Sequence, residues 1–350
     1  MKKIISLVLC LTFLCSCSKT DYSEIESRAI VSAIGIDKFH NDVIVSMELV
    51  NTKNLEETAS NQIIFKSGKN ILDAVGNISG SVSKNLFYSH CATVAIGEGL
   101  TKQDLQSAFK FIFDSNEFTL LLKVVATKNA KELLSVKPQS EAVLGYEIMS
   151  TLNSREKNLS LGYYNSFINV GGRRDVTPYL YALPYFEVGG EKGKEVYSLS
   201  GLKIYKDDTE NIILNKTEAS IFEIFSNSFR SGQISININE QPTTVEIKKS
   251  KNNQKVFLEN NILNINFTLS QTLNTKDRKV NINEYKAALN NELIKFIELS
   301  KEKELDVFFI KELLKRENPS LFNKIDKDFN HFYKQAKFNI KMNIKEEANA

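Results

Sequence analysis

Four runs in the last third of the chain alternate apolar with polar residues: Ile234-x-Ile236-x-Ile238, Val245-x-Ile247, Val256-x-Leu258 and Leu263-x-Ile265-x-Phe267-x-Leu269. Strand side chains alternate between two faces, so each run dries one face and wets the other. Such strands in succession predict an antiparallel sheet with one face that must be covered. The cover follows in the sequence. Tyr285, Leu289, Leu293, Phe296 and Ile297 form one stripe of a helix from about Asn283 to Glu304. A shorter helix is expected from about Val307 to Arg316. Pro319 then opens another, with Phe322, Ile325, Phe329 and Phe332 on one face. Phe338-x-Ile340-x-Met342-x-Ile344 closes the pattern as a strand. Two short strands, Ser200 to Tyr205 and Ile212 to Leu214, and a helix from about Lys216 to Phe229 precede it. Residues 195–350 therefore read as an α+β layer.

The first third has a different grammar. Ala29 to Asp37 reads as a buried strand, Lys38 to Asp42 as a turn, and Val43 to Leu49 as the hairpin partner. Asn61 to Phe65, Cys91 to Ile96 and Thr119 to Ala126 are further strands. Between them, Ile71, Leu72, Val75, Ile78 and Val82 recur at helical spacing. Thr101 is a good N-cap for a helix burying Leu105, Ala108, Phe109, Ile112 and Phe113. Strands alternating with helices predict an α/β layer over 24–130. Residues 131–194, with a helix from Asn129, Gly171-Gly172, an extended Tyr179 to Val188 and a glycine-rich linker, read as a small middle domain. The whole is α+β: two to three layered domains with mixed or antiparallel sheets against helices. Phe111, and one of Phe308 and Phe309, fall off the apolar faces and are candidates for a domain or subunit interface.

The chain opens Met1-Lys2-Lys3, continues with an apolar run from Ile4 to Leu14, and reaches Leu14-Cys15-Ser16-Cys17. The run is too short to span a ~30 Å hydrocarbon core. A basic head, a short apolar run and a small residue before cysteine describe a bacterial lipoprotein signal. On this reading 1–16 is the signal peptide, Cys17 is lipidated and 17–23 is a lipid-anchored tether on the extracytoplasmic side. Cys10 and Cys15 would leave with the signal, so Cys91 alone keeps a thiol and no disulfide is expected. The net charge of +3 includes Lys2 and Lys3. That balance argues against a nucleic-acid protein. Arg173-Arg174 and Lys248-Lys249-x-Lys251 read as solvated loop charge.

Catalytic chemistry finds no constellation. His40 falls in a turn and His331 near the exposed side of a helix. His90 adjoins Cys91, but neighbours on a strand point to opposite faces, so base and thiol would not meet. No histidine pair has metal-ligand spacing. Gly97-Glu98-Gly99 lacks the rest of a phosphate-binding pattern. Asp207-Asp208, Glu56-Glu57 and Glu346-Glu347 read as solvated charge. No enzyme activity and no cofactor are expected.

The order of motifs resembles the Ger(x)C family of spore germination lipoproteins over nearly the whole chain after Cys17. Glu24-Ile25-Glu26-Ser27-Arg28 leads into Ala29 to Asp37, with Gly35 and Asp37 in the family's Ile-Gly-Ile-Asp positions. Leu86 to His90 followed by Val94 to Glu98, the proline-bounded Pro178 to Pro184, Asp306-Val307-Phe308 and Asn318-Pro319 match its later signatures. Departures are Ser18 where the family has Trp, Phe322 and Phe329 where Trp is common, missing arginines around Phe113 and Phe118, and the closing Glu346 to Ala350 where the family's last strand ends near a Gly. The N-terminal family region would cover 24–190. Gly35, Asp37, His90, Glu98, Asp306 and Pro319 are the candidate structural or interface residues.

The resemblance implies a non-catalytic receptor subunit on the outer surface of the inner spore membrane. Its partners would be two polytopic membrane subunits and, through acylated Cys17, the lipid bilayer. The alternatives are a solute-binding lipoprotein of a transporter, which usually has two similar lobes, and a lipid-anchored envelope enzyme.

Overall fold

A computed structural model describes residues 27–50, 62–115, 117–119, 121–158, 180–191, 193–226, 229–274 and 281–347. The first sheet is built around the apolar strand β1 (Arg28–Phe39). β1 pairs antiparallel with β2 (Asp42–Leu49), which pairs with β3 (Gln62–Gly68) at the edge. On its other side β1 pairs parallel with β4 (Asn85–Phe87) and then β5 (Thr93–Ile96). β6 (Lys123–Thr127) and β7 (Leu180–Gly189) continue the parallel array. β8 (Val196–Lys206) and β9 (Thr209–Asn215) finish it antiparallel. A register shift between Val31 and Ala33 sends Ala33, Gly35 and Asp37 to one face of β1, and Val31, Ile34 and Ile36 to the other.

Both faces are covered, which is why the parallel strands read as continuous apolar runs. On one face lie α1 (Ile71–Ser79) and α2 (Lys102–Asp114), over a core that includes Val45, Ile96, Phe109 and Leu183. On the other lie α3 (Ala130–Leu134) and α4 (Leu144–Asn158), over Ala33, Ala95, Val125 and Phe186. Thr101 caps α2 in a capping box with Asp104, as its spacing predicts.

The second sheet has the order β10 (Gly232–Ile238), β11 (Gln241–Glu259), β12 (Ile262–Asn274), β13 (Lys337–Glu346). α5 (Lys216–Phe225) leads into it, and α6 (Ile282–Glu302), α7 (Ile310–Glu317), α8 (Pro319–Ile325) and α9 (Phe329–Gln335) follow β12. Its inward face packs on α5, α6 and α9 in one core, and that core also takes Leu180, Ala182, Leu202, Ile204 and Leu214 from β7 to β9 of the first sheet.

The α+β class is as expected, but several elements differ. The two runs at Val245 and Val256 belong to one strand, β11, which stays continuous past a register shift between Ile247 and Lys249. β13 runs parallel to β12 rather than antiparallel, because four helices carry the chain back before it pairs. The helix expected from Val307 begins at Ile310, since Phe309 is left-handed (φ 55°). The helix opened by Pro319 breaks at a 3-10 turn, Asp326–Asp328, so Tyr333 takes a buried place and Phe332 is half-buried. No separate middle domain forms among the described residues of 131–194. Instead α3, α4 and β7 complete the first sheet, and the boundary drawn at 194/195 falls in the β7–β8 hairpin. Gly171-Gly172 and Pro178 lie outside the described residues.

Candidate functional site

Two of the sequence motifs meet at one end of the first sheet. Gly35 lets α3 lie against β1: a β-carbon there would come within 3.1 Å of Ala130 Cβ. Two residues on, Asp37 accepts from the backbone amides of Ala130 (Oδ1, 2.7 Å) and Lys131 (Oδ2, 2.9 Å), the first of α3. These are amides that no turn of the helix can satisfy. Burial pushes the Asp37 carboxyl up, against the pull of the two amides. Gly97, at the end of β5, passes directly behind the carboxylate, where a β-carbon would collide with Asp37 Oδ1.

Glu98 reaches the far side of the sheet. It accepts from Tyr185 of β7 (3.2 Å) and from Lys203 of β8 (3.0 Å). Lys203 is buried and also pairs with Glu210 of β9 (3.1 Å), while the Gly99 amide donates to Glu210 (3.0 Å). The turn after β5 therefore clamps β7, β8 and β9 through one lysine between two carboxylates. Below it, the Tyr181 and Tyr205 rings stack 5.0 Å apart, and burial holds both phenols well above their usual range.

The other motif residues serve the same kind of purpose elsewhere. Asp306 accepts from the Ile310 (2.8 Å) and Lys311 (2.7 Å) amides at the start of α7. Burial pushes its carboxyl up to about 6. Pro319 is the first residue of α8, and Asn318 caps it by accepting from the Leu321 amide (3.1 Å). His90 is exposed, with its ring 5.9 Å from Phe87. Cys91 is fully buried, burial raises its thiol, and its sulfur lies 3.6 Å from Thr93 O. A thiol held protonated in the core is no nucleophile. Cys17 lies outside the described residues.

Three participants were not singled out from the sequence. Lys203 and Glu48 are charges inside apolar strands, Leu202-Lys203-Ile204 and Met47-Glu48-Leu49, and that embedding is the signal that could have found them. Glu48 is fully buried and accepts from Ser32 Oγ (2.7 Å) and from the Leu144 (2.8 Å) and Gly145 (2.9 Å) amides that open α4. Glu147 receives the Gln139, Ser140 and Glu141 amides and the Tyr197 hydroxyl. Burial raises its carboxyl, but these donors outweigh it and leave it below the usual range. Phe111 is half-buried and packs on Tyr88 and Phe118, and Phe308 is buried against Phe267 and Phe296. Phe309 is half-buried on a polar cleft of about 420 Å³.

No group of three His, Cys, Asp or Glu among the described residues could hold a metal ion. No helix among them is long and apolar enough to cross a membrane. The chemistry assembled here is that of a mechanical frame: carboxylates and a lysine that join helices and strands.

Two family models match in order along this frame. Residues 21–169 match the spore germination protein N-terminal domain, and 200–347 match the spore germination B3/GerAC-like C-terminal domain. The chain belongs to the Ger(x)C family. A putative spore germination protein YfkR of Bacillus subtilis (strain 168) is 24% identical over 268 residues, covering 72% of this chain and 67% of the relative. The crystal structure of the GerBC protein covers 90% of this chain and 97% of its own, with a TM-score of 0.55 and 16% identity, a likeness of fold. Within this Ger(x)C chain, Gly35 and Asp37 of the first motif thus hold a helix on the central strand, and Glu98 closes the sheet's far side.

Proposed function

We propose that this Ger(x)C protein is a non-catalytic subunit of a spore germinant receptor. It is anchored by lipid on Cys17 at the extracytoplasmic face of the inner spore membrane and assembles with two polytopic membrane subunits. The observation that carries the reading is the ordered match of both germination domains over most of the chain. The geometry supports a non-catalytic role: Asp37, Glu98 and Asp306 spend their charge on helix amides and on Lys203. The two sheets differ in strand order and direction. A solute-binding protein made of two similar lobes is therefore the poorer fit.

The test is affinity capture of a tagged chain from detergent-solubilised spore membranes. Two polytopic membrane proteins should be recovered with it, and spores lacking the chain should fail to germinate on nutrients. With Cys17→Ala, the protein should leave the membrane fraction while keeping its melting temperature. Capture without polytopic partners, or normal nutrient germination in its absence, would sink the proposal.

A further inference from the structure

The outer face of the second sheet carries a charge pattern that the frame does not use. Residues cross-paired in a sheet point to the same side. The registers align Lys249 with Thr272 and Lys345, Lys251 with Ser270 and Asn343, and Asn253 with Thr268 and Lys341. They also align Lys255 with Asn266 and Asn339, and Phe257 with Asn264 and Lys337. The alternate residues Leu263, Ile265, Phe267 and Leu269 point into the core. Outward, two rows of three exposed lysines result: Lys249, Lys251 and Lys255 on β11, and Lys337, Lys341 and Lys345 on β13. β12 lies between them and contributes only Asn, Thr and Ser, so the rows stand about 10 Å apart. What read as loop charge in the sequence is half of a flat basic face.

Among the described residues, none of the six lysines has an acidic partner. On the three strands the outward carboxylates stand at the ends: Glu246, which pairs with Lys248 (2.6 Å) and accepts from Asn274 (2.7 Å), Glu347 just past β13, and Glu259 at the β11–β12 hairpin; Glu312 and Glu317 of α7 line the cleft beside Asn253. Lysine on an exposed edge strand guards against pairing with other chains, which accounts for β13. On β11 the lysines lie beyond Gln241–Ile247, the stretch that β10 pairs, so edge protection applies to that row too, but it does not require both rows to stand on the same face of the sheet. A chain of net charge +3 has thus gathered six mutually repelling ammonium groups on one uncovered face.

We propose that this face docks on the anionic headgroups of a phospholipid membrane. The occupant must be negative and extended in two dimensions, because the lysine rows cover a flat surface and line no cleft. Ammonium groups are point charges suited to a diffuse field, and the aligned face has no arginine for bidentate phosphate recognition. It has no ladder of rings on which nucleobases could stack. Its one aromatic, Phe257, is exposed on the same face of β11 two residues from Lys255, an apolar body near a cation as at membrane–water interfaces. The proposal needs no lipid on Cys17. With that anchor in place, the face would decide which side of the tethered protein meets the bilayer.

The test uses the chain from Ser18 to Ala350, which carries no lipid and keeps every residue the structure describes. Co-sedimentation is measured with phosphatidylcholine vesicles and with vesicles containing about one-third phosphatidylglycerol, at low and at ~0.5 M salt. Binding should require phosphatidylglycerol and be lost at high salt. At a factor of about five per lysine, the triple variant Lys251→Gln, Lys255→Gln, Lys341→Gln should bind about 100-fold more weakly with an unchanged melting temperature. The control triple Lys102→Gln, Lys110→Gln, Lys315→Gln should bind like the parent. Absence of binding, equal binding to both vesicles, equal losses in the two triples, or tighter binding to a DNA duplex than to the acidic vesicles would each overturn it.

Discussion

Gly97 shows how much one missing methyl group can decide. Its place behind Asp37 lets the carboxylate sit on the first amides of α3. Gly97→Ala should expel that carboxylate, leaving two helix amides and a buried charge unsatisfied, at about 3 kcal/mol by urea unfolding. Gly76, exposed on α1 with open space where a β-carbon would stand, is the opposite case. Gly76→Ala should stabilise by about 0.5–1 kcal/mol in the same assay. In the sequence both glycines only weaken or end an element. The neighbour that separates them, Asp37, arrives from another strand.

The helices show what local signals can and cannot state. Asn70, Asn129, Asn215, Asn281 and Asn318 each cap the helix that follows, and Thr101 does the same for α2. Support from distant carboxylates was not legible. The start of α3 was expected at Asn129, but not that Asp37 of β1 would hold its first amides, and α4 begins where Glu48 presents oxygen from β2. For α7 the carboxylate is close in sequence, yet Phe309 must turn left-handed to reach it. That cap makes a pH prediction. Burial raises Asp306 to about 6 in the folded chain, against roughly 4 in an unfolded one. The folded state therefore holds this proton more tightly. The stability it contributes is present below about pH 4 and lost as pH rises through about 6. Asp306→Asn removes the titration, so its cost should be about 2 kcal/mol greater at pH 4 than at pH 7, measured by denaturant unfolding at both.

At the scale of the molecule, α5 joins what the sequence seemed to divide. Its Phe222 and Phe225 share a core with Leu202 and Ile204 of the first sheet and Phe267 of the second. β8 in turn pairs with β7 along its length. A fragment from residue 195 onward would keep β8 and β9 but lose β7, leaving a ten-residue strand edge and Leu202 without their cover. Such a fragment should be aggregation-prone and lack native-like tertiary signals by near-ultraviolet circular dichroism. The full chain should lose both sheets in one denaturant transition. A stable, monomeric fragment would show that the shared core is dispensable.

Periodicity in the sequence determined most element types, the α+β class and the apolar set of each face, because those depend on neighbours within a turn or a strand. Motif order was enough to identify the family. Only the tertiary structure decided that Lys249 and Lys251 belong to a strand face, that β13 runs parallel to β12, and that one sheet crosses the apparent boundary near residue 194. It also decided the partners of Asp37, Glu48 and Lys203. The physical reason is common to all of these. Register, strand direction and charge pairing are set between segments far apart in the chain, and no local pattern carries the partner's address.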